Sequence, residues 1–278
     1  SFPTRRSSDL VISAETGHIN THETGAIEAT GHKVCPILTK DGKLTPDLIR
    51  PVLDMHENEH WVDPRLVYVS NPTEVGTVYT KEELEDLYAF CKRHDLYFYI
   101  DGARLAAALA AKEETHLTFP DLPKLCDAFY IGGTKVGAMF GEALVLVNDN
   151  FKERFRFNMK QKGAILAKGW FLGVQFEELF KNNLYIEAGA HSIAMMKPIK
   201  EAFEKAGIPL LCEAPTNQIF PIFPNALAEE INKKYLTTFQ CKPDEDHTCL
   251  RFCTSWATNE NAVKDFVEDF EEMCGRLL

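Results

Sequence analysis

No stretch of this chain approaches the roughly 20 apolar residues that a membrane-spanning helix requires, because charges and prolines interrupt every candidate. Positive charge is also in deficit: 30 Lys and Arg stand against 41 Asp and Glu, a formal net charge of −11. That balance excludes nucleic-acid backbones and anionic membrane surfaces as principal partners. The eight cysteines include no CxxC pair and no zinc-ribbon spacing. They read as reduced thiols acting as small hydrophobes, which points to a cytoplasmic compartment. Cys249 and Cys253 lie an even number of residues apart, so on a strand they share one face. Internal repeats and low-complexity segments are absent too. What remains is an ordinary globular composition, 45% hydrophobic and 26% charged over 278 residues. A compact chain of this length buries roughly three-quarters of its unfolded surface and needs no staple.

Residues 1–10, SFPTRRSSDL, hold a basic pair but no apolar core and no small-residue cleavage site, so they are not a secretory signal. There is no initiator Met, and a strand-like run begins at Leu10. The segment reads as a non-native or truncated leader outside the fold, with an ordinary flexible terminus as the alternative.

Beyond it, short runs rich in β-branched and aromatic residues alternate with helical patterns. Leu66 to Ser70 (LVYVS) reads as a strand that runs into the turn Asn71, Pro72, Thr73. Thr80 reads as a helix cap ahead of Glu82 and Glu83, with Leu84, Leu87, Tyr88 and Cys91 at helical spacing. Leu96 to Ile100 (LYFYI) reads as a buried strand ended by Asp101 and Gly102, followed by a helix over residues 103–111. Ala128 to Ile131 and Ala143 to Val147 are further strands. Apolar strands separated by helices predict an α/β fold, a mostly parallel sheet covered by helices. Residues 151–206 read as helical; the runs 219–223, 236–241 and 249–254 read as strands, and residues 259–278 as a closing helix. The division is therefore a large domain over residues 11–197 and a smaller C-terminal α+β domain over 198–278.

In open parallel sheets, chemistry collects beyond the carboxyl ends of strands. Asp101 follows LYFYI with Arg104 three residues on, and GGTKVG after Ile131 puts Lys135 on a glycine-flanked turn. Glu15 to Ala26 (ETGHINTHETGA) holds two histidines and two glutamates near another strand end. A lysine amine and a carboxylate at neighbouring strand ends suit pyridoxal 5′-phosphate, which takes a lysine on its aldehyde and an acid against its ring nitrogen. Taken singly, each residue has a plainer reading. Lys135 is then a solvated loop lysine, Asp101 a helix N-cap, His18 a capped loop histidine and Arg251 an exposed strand arginine.

The segments HINTHETGA, SNPTEVGTVY, DGARL, GGTKVGAMFGEALV and LRFCTS occur in an order that resembles the threonine aldolase and β-eliminating lyase family, a branch of the fold-type I pyridoxal phosphate enzymes. The resemblance runs from Val11 to the C-terminus. It implies Lys135 as the lysine that joins the cofactor, Asp101 as partner of the ring nitrogen, and Arg104 beside the ring hydroxyl. It implies His18 stacked on the ring and moving protons, and Arg251 gripping the substrate α-carboxylate. Glu23 matches an acidic family position without a role. A homodimer or homotetramer acting on a small amino acid is implied likewise. The activity implied is cleavage of a β-hydroxy-L-amino acid such as threonine to glycine and an aldehyde.

Two departures accompany the resemblance. The family's glycine-rich phosphate turn stands some tens of residues ahead of the histidine segment, where this chain has only the leader; an N-terminal truncation is expected. Where the family places a second, substrate-facing histidine, this chain has Thr73 and Glu74. The competing readings are an aminotransferase of the same fold, an inactive fragment lacking the phosphate-binding segment, and a metal hydrolase. The last would rest on His18, His22 and Glu23, but the order is HxxxHE rather than HExxH, and no metal site is expected.

Overall fold

The computed structural model describes residues 9–277. Along the chain come β1 (Leu10–Ala14), α1 (His18–Thr21), β2 (Lys33–Ile37), α2 (Pro46–Met55), β3 (Pro64–Ser70) and α3 (Lys81–Arg93). Next are β4 (Tyr97–Gly102), α4 (Leu105–Ala110), α5 (Lys112–Thr115), α6 (Leu122–Leu125), β5 (Ala128–Ile131) and β6 (Ala143–Leu146). These strands form one six-stranded sheet in the order β2-β1-β3-β4-β5-β6. Every neighbouring pair is parallel except β5 with β6. The mostly parallel α/β sheet that the alternating pattern predicts is therefore present.

Residues 1–8 of the expected leader lie outside the described residues. Leu10, its last residue, belongs to the fold instead: it is fully buried and pairs with Lys33 and Pro64.

Local signals set the ends of α3. The Thr80 hydroxyl accepts the Glu83 N–H at 3.2 Å, and the Glu83 carboxylate accepts the Thr80 N–H at 2.8 Å. This capping box satisfies two donors that the first turn otherwise leaves unpaired. Leu84, Leu87, Phe90 and Cys91 bury one face of the helix. Strand β4 runs two residues past its apolar run, because Asp101 and Gly102 pair with Tyr130 and Ile131 of β5. Backbone pairing, not side-chain polarity, ends this strand.

The register decides what faces what. Tyr68, Tyr99 and Ala128 lie side by side on β3, β4 and β5, and Ser70, Asp101 and Tyr130 lie side by side one step further on. Successive residues alternate faces, so all six share one face of the sheet. The opposite face carries Val67, Val69, Phe98, Ile100, Phe129 and Ile131, all buried in the main core. Burying each such side chain contributes about 1.5–3 kcal/mol. Tyr99 and Tyr130 are only partly buried, since their face borders a cavity.

After β6 come α7 (Phe155–Gln161), α8 (Trp170–Phe180) and the long α9 (Leu184–Lys205). Then follow β7 (Gln218–Ile219), β8 (Ile222–Pro224), α10 (Asn225–Lys234), β9 (Thr238–Cys241), β10 (His247–Cys253) and α11 (Glu260–Leu277). A second, antiparallel sheet is built around β10, which pairs with β7, β8 and β9. The single strand expected over 219–223 is split at Phe220 and Pro221, where proline lacks a donor for the ladder. Phe203, Phe223, Phe252, Phe266 and Phe270 fill a second core, with Phe203 and Phe270 edge-to-face at 4.8 Å. Helix α9 contributes Tyr185 to the first core and Met196, Ile199 and Phe203 to the second. Among the described residues, no helix is long and apolar enough to cross a membrane.

Gly132 joins β5 to the lysine turn at a point where the chain passes close to its neighbour. A Cβ there would sit 2.3 Å from the Ala103 carbonyl oxygen. Gly132→Ala is expected to lower stability by about 1–3 kcal/mol, read as a reduced urea midpoint; an unchanged midpoint would contradict this packing.

Candidate active site

A cavity of about 550 Å³ opens over the carboxyl ends of β1, β3, β4 and β5. Its walls include His18, Glu74, Asp101, Arg104, Tyr130 and Lys135. Four residues singled out in the sequence, His18, Asp101, Arg104 and Lys135, thus surround one space, although their strand ends lie far apart along the chain.

Asp101 is held from two sides. Its Oδ1 accepts the Ala103 N–H at 2.9 Å, and its Oδ2 accepts the Tyr68 hydroxyl. Burial raises the Tyr68 pKa far above the ordinary phenol value, and the Asp101 charge adds to the effect. Tyr68 therefore stays protonated and acts as a donor, which fixes the carboxylate as an acceptor. Asp101 is not the N-cap of α4; that position is Arg104, whose side chain makes no cap bond.

Lys135 sits on a 3-10 turn, Thr134–Val136, closed by Gly137 at φ +107°. A hydroxyl and a carboxylate on neighbouring elements pin that turn. The Glu142 carboxylate accepts the Gly133 N–H and, at 2.8 Å, the Thr134 hydroxyl, while the Tyr185 hydroxyl donates to the Gly132 carbonyl oxygen at 2.9 Å. Although Lys135 is open to solvent at the cleft mouth, the surrounding walls partly desolvate its ammonium. That desolvation, joined by repulsion from Arg104, pulls its pKa below the ordinary lysine value against the opposing pull of Asp101, Glu142 and Cys253. A depressed lysine pKa is what a nucleophilic amine needs.

His18 opens α1. Its Nδ1 lies 2.6 Å from Glu23 Oε1, and its ring stacks on His22 with centroids 5.0 Å apart. Among the described residues, no group of three His, Cys, Asp or Glu is arranged to hold a metal ion. Arg251 lies outside the cavity wall: its Nη2 donates to Thr238 Oγ1 on the paired strand at 3.4 Å. Its strand still reaches the cleft, since Cys253, two residues on, acts on the Lys135 charge.

Tyr68, Ser70 and Glu142 carry no signal in the linear sequence. Tyr68 and Ser70 read there as filler of an apolar strand, and only the β3–β4 register shows that they border Asp101. Glu74, noted as a departure, lines the cavity and accepts hydrogen bonds from Ser70 Oγ at 2.6 Å and from the His18 N–H at 2.8 Å.

An open, mostly parallel sheet with its cleft at the carboxyl edge and a smaller antiparallel sheet after it is the architecture of the fold-type I enzymes. The family described as beta-eliminating lyase matches residues 3–223, and the chain belongs to that family. A low specificity L-threonine aldolase of Pseudomonas aeruginosa is 28% identical over 275 residues, covering 95% of this chain and 76% of the relative. A second low specificity L-threonine aldolase, from a Pseudomonas species, is 30% identical over 270 residues, covering 93% and 75%. The solved structure of Leishmania major threonine aldolase matches with a TM-score of 0.94 at 48% identity, over 97% of this chain and 78% of that one.

The environment of Lys135 has a measurable consequence. Under limiting acetic anhydride over a pH series, Lys135 is expected to become reactive at lower pH than Lys205, whose pKa is raised by its bond to Glu271. Arg104→Leu is expected to move Lys135 back toward the ordinary range. Simultaneous labelling of both lysines in the parent chain would contradict the described cleft.

Proposed function

We propose that the chain is a pyridoxal phosphate-dependent lyase of the threonine aldolase type, cleaving a β-hydroxy-L-amino acid such as threonine to glycine and an aldehyde. One observation carries the reading: an amine with a lowered pKa and a doubly held carboxylate border a single cavity together with Arg104 and His18.

The residues fit the aldehyde and the ring of the cofactor. The cavity volume lies within the roughly 300–1,000 Å³ usual for small-molecule sites. Tyr68 and Tyr99 stack with centroids 5.8 Å apart and give the cavity a flat aromatic side. Lys135 would join the aldehyde, Asp101 would face the ring nitrogen, and Arg104 and His18 would flank the ring. When bound, pyridoxal phosphate supplies an electron sink for the pair released at the substrate's α-carbon.

The remaining work falls to the protein. Lys135 offers an unprotonated amine at a lower pH than ordinary lysines do. Asp101, held by the Tyr68 hydroxyl and the Ala103 N–H, presents its carboxyl group toward a cationic ring partner. Arg251 would bind the substrate carboxylate by reorienting away from Thr238. The same reading makes the enzyme a cytoplasmic homodimer or homotetramer. In support, all eight cysteines are free, and Phe140, Trp170 and Phe171 form an exposed apolar cluster that a second copy would cover.

The test is direct. Borohydride reduction of the chain with pyridoxal phosphate is expected to fix a pyridoxyl group on Lys135, located by peptide mass, and Lys135→Ala is expected to lose it. The unreduced chain with cofactor is expected to release aldehyde from threonine or allo-threonine. Label on another lysine, or keto acid in place of aldehyde, would overturn the reading, and the second result would point to an aminotransferase.

A further inference from the structure

Cleavage of a β-hydroxy amino acid requires a group to receive the hydroxyl proton, and the cavity offers few. Arg104 has no acceptor capacity. Both Asp101 oxygens are engaged, by Tyr68 and by the Ala103 N–H. His18 Nδ1 is committed to Glu23, which leaves only its Nε2 as an acceptor, and Lys135 is reserved for the cofactor. Glu74 adds a carboxylate oxygen to the cavity wall.

Tertiary packing places Glu74 on the turn after β3. The Thr73 and Thr77 hydroxyls bond at 2.7 Å, and Gln218 Nε2 donates to the Glu74 carbonyl oxygen at 3.1 Å. In the same turn Gly76 has φ +87°, and a Cβ there would come within 2.3 Å of the Gln218 carbonyl oxygen. The β7 strand therefore clamps this turn against the cleft.

Among the described residues, the hydrogen bonds that reach the Glu74 carboxylate from other residues both end on Oε1. Oε2 is left for a ligand. Along the wall, Glu74, Ser70, Tyr68 and Asp101 form three successive oxygen–oxygen links, the middle one 3.3 Å long. Burial, reinforced by the Asp101 charge, raises the Glu74 pKa, while its hydrogen bonds from Ser70 and His18 oppose the rise. The other titratable groups facing the cavity are Tyr99 on β4 and Arg104 after it, Tyr130 and Lys135 at and after the end of β5, the His18–Glu23 pair at α1, and His32 ahead of β2.

We propose that Glu74 is the general base, and in reverse the general acid, at the substrate's β-oxygen, a role that rests on the lyase reading above. The hydroxyl proton passes to Glu74, and the O–H electron pair becomes the second C–O bond of the aldehyde. The Cα–Cβ bond breaks, and its pair stays on Cα until a proton restores glycine. One proton leaves the hydroxyl and one reaches Cα, so atoms and charge balance. This role ties the cleft to β-hydroxy substrates, because a hydrogen on Cβ offers Glu74 no acidic proton.

The test compares the full chain with Glu74→Gln and Glu74→Asp. Without cofactor, infrared titration of the parent is expected to show a carboxylic acid band that persists above the ordinary carboxylate range and is missing in Glu74→Gln. With pyridoxal phosphate, Glu74→Gln is expected to keep the bound cofactor and the exchange of glycine α-protons with solvent deuterium. Its aldehyde release is expected to fall by about 10²-fold or more, with partial recovery in Glu74→Asp. A missing infrared band, unchanged aldehyde release, or equal loss of glycine exchange and aldehyde release would each overturn the role of Glu74. Failure of the parent itself to bind cofactor would instead overturn the lyase reading, and this role with it.

Discussion

The Tyr68–Asp101 hydrogen bond is the constraint on which the site depends. A carboxylate at the carboxyl edge of a sheet is common; one whose neighbour can only donate to it is an acceptor held in a fixed position. Tyr68 is fixed in that role because burial beside an anion makes its own ionisation prohibitively costly. The bond exists because β3 and β4 pair in a register that sets Tyr68 beside Tyr99 and Ser70 beside Asp101. A slip of one residue would send Tyr68 and Ser70 to the opposite face and put valines against the cleft. Strand register, which apolar packing on the other face enforces, is thereby converted into electrostatics.

Around that anion the cleft arranges opposing influences. Lys135 is pulled toward the neutral amine by crowding and by Arg104, and toward the ammonium by Asp101 and Glu142. Together these influences lower its pKa, the sense a nucleophilic amine requires. Glu142 has two parts in this balance, since its carboxylate also accepts from Gly133 and Thr134 and so sets the turn that carries the lysine. Glu74 shows the mirror image, a carboxyl pushed toward its neutral form by burial and by a second carboxylate nearby. A lysine tuned down and a glutamate tuned up in one cavity is a pattern that acid–base chemistry uses.

Much of this was legible in one dimension where the cause is local. Thr80 and Glu83 three residues apart make a capping box whatever the rest of the chain does, and LYFYI followed by Asp and Gly marks a strand end near Asp101. The GGTK turn pointed to Lys135 because its glycines let the backbone turn sharply, and the structure uses Gly132 for a close approach to Ala103. Local spacing failed where pairing between distant segments decides the outcome. The ladder to β5 extends β4 through Gly102, Pro221 splits the 219–223 run, and Leu10 enters the fold through partners at residues 33 and 64. Tyr68 was unreadable for the same reason, its partner being 33 residues away. Arg251, taken from resemblance alone, stands on the strand beside the cleft with its guanidinium turned to Thr238.

The central claim is that Asp101 holds a cationic ring nitrogen in the cavity that Lys135 borders. It is tested most directly by nitrogen-15 magnetic resonance of the chain loaded with ring-labelled pyridoxal phosphate, compared with Asp101→Asn. The account predicts a protonated ring nitrogen in the parent that becomes unprotonated in the variant, with Lys135 still carrying the cofactor. A nitrogen shift indifferent to Asp101 would contradict it.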